Sequence, residues 1–195
     1  MTDASWSGRS GRVDGAPGLR VCQRGDLTYA SLIAACGRVD ALHAAAQTAF
    51  AAQLPGAGRL SSGGGLDFIW SGPGRWLVQA ARDVTPDIET LLAPLNAHAA
   101  VCDLGDSRLV LDLDGPRVRE VLAKGLALDL DPALFTTGCA ASSTISYIGV
   151  QIWQTTADPC YRVAVPRSYA GSFCAWLRAA AAEYGCLVDA APSSG

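Results

Sequence analysis

Short apolar runs separated by glycine- and proline-rich turns recur along this sequence. The clearest pair is residues 66–70 (LDFIW) and 76–80 (WLVQA), which flank the pentapeptide SGPGR at 71–75. Two short apolar runs on either side of a glycine-rich turn are typical of a β-hairpin. Because hairpin strands are antiparallel, this pattern constrains at least part of the fold to antiparallel sheet.

A second hairpin is predicted further along the chain. Residues 145–153 alternate between apolar and polar side chains, and residues 161–165 repeat the pattern after the turn at Asp158-Pro159. Alternation of this kind is the pattern of a half-buried strand. Residues 145–153 and 161–165 are therefore predicted to be the two strands of this hairpin.

Four segments have apolar residues at the spacing of an amphipathic helix. They are residues 40–54, 85–96, 116–125 and 168–185. Asp40 and Ser168 stand where they can cap two of these helices, and Pro116 stands at the first position of another. Because strands and helices are mixed and hairpins are frequent, the order of elements predicts an α+β architecture with antiparallel sheet rather than a doubly wound one.

Length and composition bound the organisation of the chain. Half of the 195 residues are apolar and 17% are charged, which leaves ample apolar surface to offset the entropy of ordering. Residues 1–18 are predicted to be a flexible polar tail, residues 19–190 a single α+β unit, and residues 191–195 a frayed end. Residues 56–65, with five glycines and two serines, are predicted to be a mobile loop.

Charge and cysteine usage argue against several classes of protein. The formal net charge of -3 and the pI near 5.2 provide no basic field, so no nucleic acid partner is predicted. The sequence contains no run of eighteen apolar residues and no apolar signal region near its start, so we expect no membrane partner and a cytoplasmic location. Its seven cysteines include no Cys-x-x-Cys pair, which indicates neither a disulfide framework nor a zinc site.

Two glycine-rich segments resemble phosphate-binding loops, but each leads into a predicted strand. A phosphate loop requires a glycine turn that feeds the N-terminus of a helix. Gly72-Pro73-Gly74 instead precedes residues 76–80, and Gly63-Gly64-Gly65 precedes residues 66–70. The histidines, His43 and His98, have no Cys or His at metal-ligand spacing. No cofactor-binding or metal-ligating residue is therefore predicted.

Carboxylates near turns and small nucleophiles are the remaining candidates for chemistry. Asp103 and Asp106 flank a turn beside Arg108 and could form an acid–base pair, but turn formation explains them better. The same interpretation covers four carboxylates at predicted strand ends: Asp112, Asp114, Asp129 and Asp131. Three possible nucleophiles lack a histidine in a plausible triad order: Cys139, Ser142 and Ser143. No catalytic residue is predicted.

Two features indicate that the chain acts with partners. Trp6 stands alone in the polar tail, where an isolated tryptophan is best explained as an anchor on another chain. The apolar content is high for a soluble monomer of this size, as expected if an apolar patch faces a partner, although alanine alone could also raise the figure.

Three stretches, at residues 72–77, 103–140 and 161–168, together resemble the sarcosine oxidase gamma subunit family. The family pattern includes a Gly-Pro-Gly-x-Trp turn, a strand-Gly-Pro-helix unit, a Leu-Asp-Leu-x-Pro segment and a Val-Pro-Arg-Ser start to the last helix. All four occur here, and the similarity extends over roughly residues 66–185. The residues before Leu19 and the loop at 56–65 match nothing in the pattern.

The resemblance implies a glycine-cleavage T protein-like fold, with two small α+β lobes at roughly residues 19–105 and 106–190. It also implies a non-catalytic gamma subunit in a heterotetramer that demethylates sarcosine oxidatively to glycine. The alpha partner carries NAD and a tetrahydrofolate-binding region, and the beta partner carries FAD and shares FMN with alpha. The delta partner carries zinc, and no cofactor is expected on this chain.

Other readings of the resemblance stay open. One is a gamma-like subunit of another N-methyl amine dehydrogenase, acting on dimethylglycine, N-methylglutamate or a betaine. Another is an independent folate-binding protein, although the chain is about half as long as a T protein. The related iron–sulfur repair proteins carry a Lys-Gly-Cys-Tyr-x-Gly-Gln-Glu motif, which is missing here because Cys139 is followed by Ala-Ala-Ser.

Overall fold

The computed structural model describes residues 7–83 and 87–189. Its strands are β1 (Gly8–Ser10), β2 (Leu19–Gln23), β3 (Leu27–Ala34), β4 (Leu60–Gly63), β5 (Leu66–Gly72), β6 (Arg75–Ala81), β7 (Ala99–Asp103), β8 (Arg108–Asp114), β9 (Ala140–Ile145), β10 (Ile148–Thr156), β11 (Cys160–Pro166) and β12 (Cys186–Val188). Its α-helices are α1 (Val39–Phe50), α2 (Ile88–Leu92), α3 (Val118–Ala123) and α4 (Ala170–Ala181). The helices are separated by runs of two or three strands, and most neighbouring strands are antiparallel, which confirms the predicted α+β class.

The described residues form two compact units, each built on one sheet. The five-stranded unit consists of Asp26–Asp106 and Gly138–Ala141, and the seven-stranded unit consists of the residues before, between and after these segments. Strand β2 pairs with β8 and β12, so it lies in the seven-stranded unit rather than with the residues that directly follow it. Strand β1, within the segment predicted to be a polar tail, pairs with β12. Trp6 and residues 191–195 lie outside the described residues.

The five-stranded unit has the strand order β4-β5-β6-β3-β7, and the neighbouring strands are antiparallel. The predicted hairpin at 66–80 is confirmed as β5 and β6. Its turn ends with Gly74 at φ +65°, a backbone conformation that costs glycine little. The core includes Leu42 and Phe50 from α1, Phe68 from β5 and Trp76 from β6.

Residues 56–65, predicted to be a mobile loop, contain strand β4. This prediction is wrong because β4 pairs with β5 in register, from Leu60 opposite Ile69 to Gly63 opposite Leu66. The glycines allow close packing, since a Cβ atom on Gly63 would lie 2.6 Å from the Cβ atom of Ala52. Gly63 and Gly64 therefore let this backbone pack against Phe50 and Ala52 at the end of α1.

The four predicted helices are present, but their ends differ from the prediction. Helix α1 begins at Val39, so Asp40 lies in the first turn instead of capping it, where its charge still complements the helix dipole. Helices α3 and α4 begin two residues after Pro116 and Ser168. Asp87 caps α2, and the predicted start of that helix at 85–86 lies outside the described residues. Helix α1 ends before residue 54 because Ala51 adopts φ +51°.

The seven-stranded unit has the strand order β1-β12-β2-β8-β11-β10-β9. Strands β12 and β2 are parallel, whereas β2–β8, β8–β11 and β11–β10 are antiparallel. Helix α4 contacts α3 and β11, and it buries Phe173 and Leu177 while Trp176 stays half-buried. Among the residues described here, no helix is long and apolar enough to span a bilayer.

The strand predicted at residues 145–153 is interrupted. Ile145 ends β9 and Ile148 begins β10, and the residues between them, Ser146 and Tyr147, have φ values of +47° and +69°. The chain therefore reverses direction here. The alternating pattern did not reveal the turn, because the Ser-Tyr pair lacks the Asn or Gly that is usual in a two-residue hairpin turn. Strands β10 and β11 do form the second predicted hairpin.

Candidate functional site

The main charged cluster in the seven-stranded unit lies on three adjacent strands. In the antiparallel register, Asp112 of β8 stands directly opposite Arg162 of β11 on one side and Cys22 of β2 on the other. Directly opposite residues point to the same face of a sheet. Since side chains alternate along a strand, the buried Leu111 and Leu113 point to the other face.

One carboxylate in this cluster binds two guanidinium groups. The Arg162 side chain donates from Nε to Asp112 Oδ1 at 2.5 Å and from Nη2 to Asp112 Oδ2 at 2.8 Å. Arg24, just beyond β2, donates from Nη1 to Asp112 Oδ2 at 2.7 Å. The side chain of Arg162 is 8% exposed and that of Asp112 is 13% exposed. Paired donation from one guanidinium is the strongest geometry for such an ion pair.

Two ionisable groups beside this cluster have altered pKa values. Partial burial raises the pKa of the Asp114 carboxyl, and the nearby carboxylates of Asp189 and Asp112 raise it further, while Arg20 opposes them. Burial also raises the pKa of the Cys160 thiol. A thiol needs a lowered pKa to act as a strong nucleophile at neutral pH. Cys160 is therefore held in its unreactive, protonated form.

An open cleft of about 450 Å³ adjoins these two residues. It is lined by Asp114, Gly115, Pro116, Thr156, Asp158, Pro159 and Cys160. The volume lies within the range of small-molecule sites. Its lining supplies carboxylate oxygens, a hydroxyl and a protonated thiol, a set suited to hydrogen bonding rather than to nucleophilic attack.

The carboxylates that the sequence analysis assigned to turns behave in two ways. Asp103 Oδ1 accepts a hydrogen bond from the Gly105 N–H at 2.7 Å, and Asp129 Oδ1 accepts one from the Asp131 N–H at 2.9 Å. These are turn contacts, as predicted. For Asp112 the interpretation is wrong, because its oxygens bind Arg24 and Arg162. The sequence signal for this cluster is an acidic residue in β8 and a basic residue in β11, each within an otherwise largely apolar strand.

The two histidines occupy different structural settings. His43 in α1 packs edge-on against Trp76, with ring centroids 5.8 Å apart. His98 follows a short 3-10 helix at Ala93–Leu95, and its backbone N–H donates to the Leu95 carbonyl at 2.9 Å. Within residues 7–83 and 87–189, no group of three or more His, Cys, Asp or Glu side chains is arranged to hold a metal ion.

The possible nucleophiles also have local structural contacts. Cys139 is buried, and its sulfur accepts a hydrogen bond from Arg59 Nη1 at 3.2 Å. The Ser143 hydroxyl donates to the Ala127 carbonyl at 3.1 Å. Ser142 is exposed on β9.

Sequence comparisons identify relatives of this chain. A model of the sarcosine oxidase, gamma subunit family matches residues 35–183. Sarcosine oxidase subunit gamma of Corynebacterium sp. (strain U-96) is 31% identical over 145 residues, which cover 73% of this chain and 70% of that protein. The same subunit of Corynebacterium sp. (strain P-1) is 31% identical over 121 residues. The match spans 59% of the length of that second relative and 62% of this chain.

Two solved structures are similar in fold. A chain of the heterotetrameric sarcosine oxidase from Corynebacterium sp. U-96 superposes with a TM-score of 0.76 and 28% identity, covering 88% of each chain. The glycine cleavage system aminomethyltransferase T from Bartonella henselae superposes with a TM-score of 0.60 and 16% identity. That second match covers 83% of this chain and 45% of the aminomethyltransferase. It confirms the predicted T protein-like fold.

Proposed function

This chain belongs to the sarcosine oxidase gamma subunit family, and we propose that it serves as the gamma subunit of a heterotetrameric sarcosine oxidase. The observation that carries the proposal is the match to a chain of such an oxidase, with a TM-score of 0.76 over 88% of both chains. Because so much of this chain is covered, residues of both units take part in the match. The family match over residues 35–183 supports the same role independently of the superposition.

In the proposed complex, the partner chains carry the redox chemistry. Oxidation of an N-methyl amine needs a hydride acceptor, which is the task of a flavin rather than of amino-acid side chains. The glycine turns of this chain do not fit a dinucleotide, since residues 72–74 lead into β6 and residues 63–65 join β4 to β5. We therefore assign FAD, FMN, NAD, tetrahydrofolate and zinc to the alpha, beta and delta partners, and no reaction step to this chain.

The contribution proposed for this chain is to stabilise and orient its partners. A stable interface with one of them should bury on the order of 1,000 Å² or more. We propose that the complex is cytoplasmic, which the seven free cysteines support, because thiols persist in a reducing compartment. We also propose sarcosine as the amine, with dimethylglycine, N-methylglutamate or a betaine as the alternatives that a substrate panel on the complex would distinguish.

Co-expression with the candidate alpha, beta and delta chains tests this function. We expect all four chains to elute together in size-exclusion chromatography and the complex to oxidise sarcosine. The matched control is the same co-expression without this chain, which should give less assembled or less stable oxidase. If the other three chains form a fully active complex while this chain elutes alone, the proposal fails and an independent folate-binding role is the better explanation.

A further inference from the structure

The turn between β9 and β10 has an unusual residue at its tip. Ser146 and Tyr147 both have positive φ, at +47° and +69°. This is the signature of a type I′ hairpin turn, for which Asn-Gly is the usual sequence. A bulky residue in this region of φ is a genuine outlier. The tyrosine therefore costs this chain conformational free energy that asparagine or glycine would not.

Burial within its own fold does not stabilise the Tyr147 side chain, so it does not offset the cost of the backbone conformation. Its relative exposure is 101%, whereas buried aromatic residues such as Tyr161 are fully enclosed. An aromatic ring in water also forgoes the stabilisation that burial would provide. A backbone conformation that is costly and a large exposed ring at one position together point to a role outside the chain.

The tip is held in place by its surroundings. The Ser146 N–H donates to the Gly125 carbonyl at 3.1 Å, and the Ala127 N–H donates to the Thr144 carbonyl at 3.1 Å. Gly125 in turn lies against the Trp176 indole, since a Cβ atom at this position would approach the ring to 2.7 Å. The backbone position of the turn that carries Tyr147 is therefore set in advance, which lowers the entropic cost of binding.

The segment around the tip is free of charge. No Asp, Glu, Lys or Arg occurs from residue 132 to residue 157, although 17% of the whole chain is charged. Strand β9 is the last strand of its sheet, and Leu126 forms an isolated bridge with its Ile145. The exposed Leu134 lies in the same uncharged segment. Depletion of charge and an exposed aromatic side chain are two of the features found in interface cores.

We propose that Tyr147 is an anchor by which this chain docks onto another subunit of the oxidase. The proposal rests on the proposed function, because it takes the occupant to be one of the partner chains. The binding surface on that partner should be an uncharged, apolar pocket with a hydrogen-bonding group at its base for the phenol hydroxyl. Tyrosine is enriched among the residues that dominate binding energy, because it offers a large apolar body and a polar tip.

Paired substitutions in the turn test the proposal. The full-length chain carrying Tyr147→Gly is titrated against alpha, beta and delta chains that were co-expressed without this chain, with Ser146→Gly as the matched control. Both substitutions relieve positive φ, so both should raise the melting temperature of the chain. Tyr147→Gly should weaken the Kd by at least about tenfold, whereas Ser146→Gly should leave it within about twofold. If the glycine variant folds poorly, Tyr147→Asn takes its place, because asparagine also tolerates positive φ. This variant should show the same loss of affinity for the partner chains.

The outcomes separate this inference from the function on which it rests. If the unsubstituted chain binds the partners and Tyr147→Gly binds equally well, the anchor is refuted and the subunit role stands. If the unsubstituted chain binds none of them, the subunit role itself fails. If Tyr147→Gly instead abolishes self-association while partner binding is unchanged, the tip contacts a second copy of this chain and the proposed occupant is wrong.

Discussion

Replacing Asp112 by asparagine should strongly destabilise the seven-stranded unit. The substitution keeps the shape of the side chain but removes the charge that accepts three hydrogen bonds from Arg24 and Arg162. The Arg162 side chain is only 8% exposed, so its cation would remain buried without a counter-charge. Breaking a buried pair from one side costs about 3 to 5 kcal/mol. We expect the lower part of this range, because Arg24 is 24% exposed and can regain water.

Urea denaturation followed by circular dichroism measures this cost. Glu120→Gln is the matched control, because Glu120 pairs with Arg117 on the surface, with side-chain exposures of 43% and 56%. An exposed pair of this kind contributes at most about 1 kcal/mol. Adding Arg162→Met to Asp112→Asn should recover part of the lost stability, since it removes the unpaired cation. A loss below about 1 kcal/mol for Asp112→Asn, equal to the control, would refute this reasoning.

Packing and thiol chemistry give two further predictions. Gly125→Ala should destabilise the chain by about 1 to 3 kcal/mol, because the added methyl group would meet the Trp176 ring. The control Gly171→Ala in α4 adds a methyl group in open space and should stabilise the chain by up to about 1 kcal/mol. Equal melting temperatures for the two variants would contradict this prediction. Burial raises the pKa of Cys174 to about 11. Iodoacetamide at neutral pH should therefore label the exposed Cys36 well before Cys174, as measured by peptide mass spectrometry. Simultaneous labelling of the two cysteines would contradict the burial of Cys174.

The sequence predicts those parts of the fold that local residues determine. The β5–β6 hairpin could be predicted because the pentapeptide at 71–75 is rich in turn residues, and the helices because their apolar spacing is regular. The turn at Ser146 and Tyr147 could not, because the pair lacks the asparagine or glycine that usually adopts positive φ in a two-residue hairpin turn. Its conformation depends on hydrogen bonding to Gly125, a contact that no local pattern indicates.

The charged cluster was missed for a related reason. Asp112 is 88 residues from Arg24 and 50 residues from Arg162 along the chain. Local reasoning could only assign Asp112 to a strand end, where carboxylates commonly bind nearby backbone groups. Its true partners become neighbours only when β2, β8 and β11 pair in register. A pattern within one strand therefore shows which face of the strand a charge shares, but not which charge meets it.

The charged cluster and the proposed anchor are linked through strand register. A slip of one residue between β8 and β11 would move Asp112 away from Arg162 and turn each side chain of the slipped strand to the opposite face. The apolar alternation and the ion pair thus favour the same register. Strand β10 is paired to β11, and β10 leads directly from the turn that carries Tyr147. The interior cluster therefore helps to fix the position of the one hairpin that we propose to meet a partner.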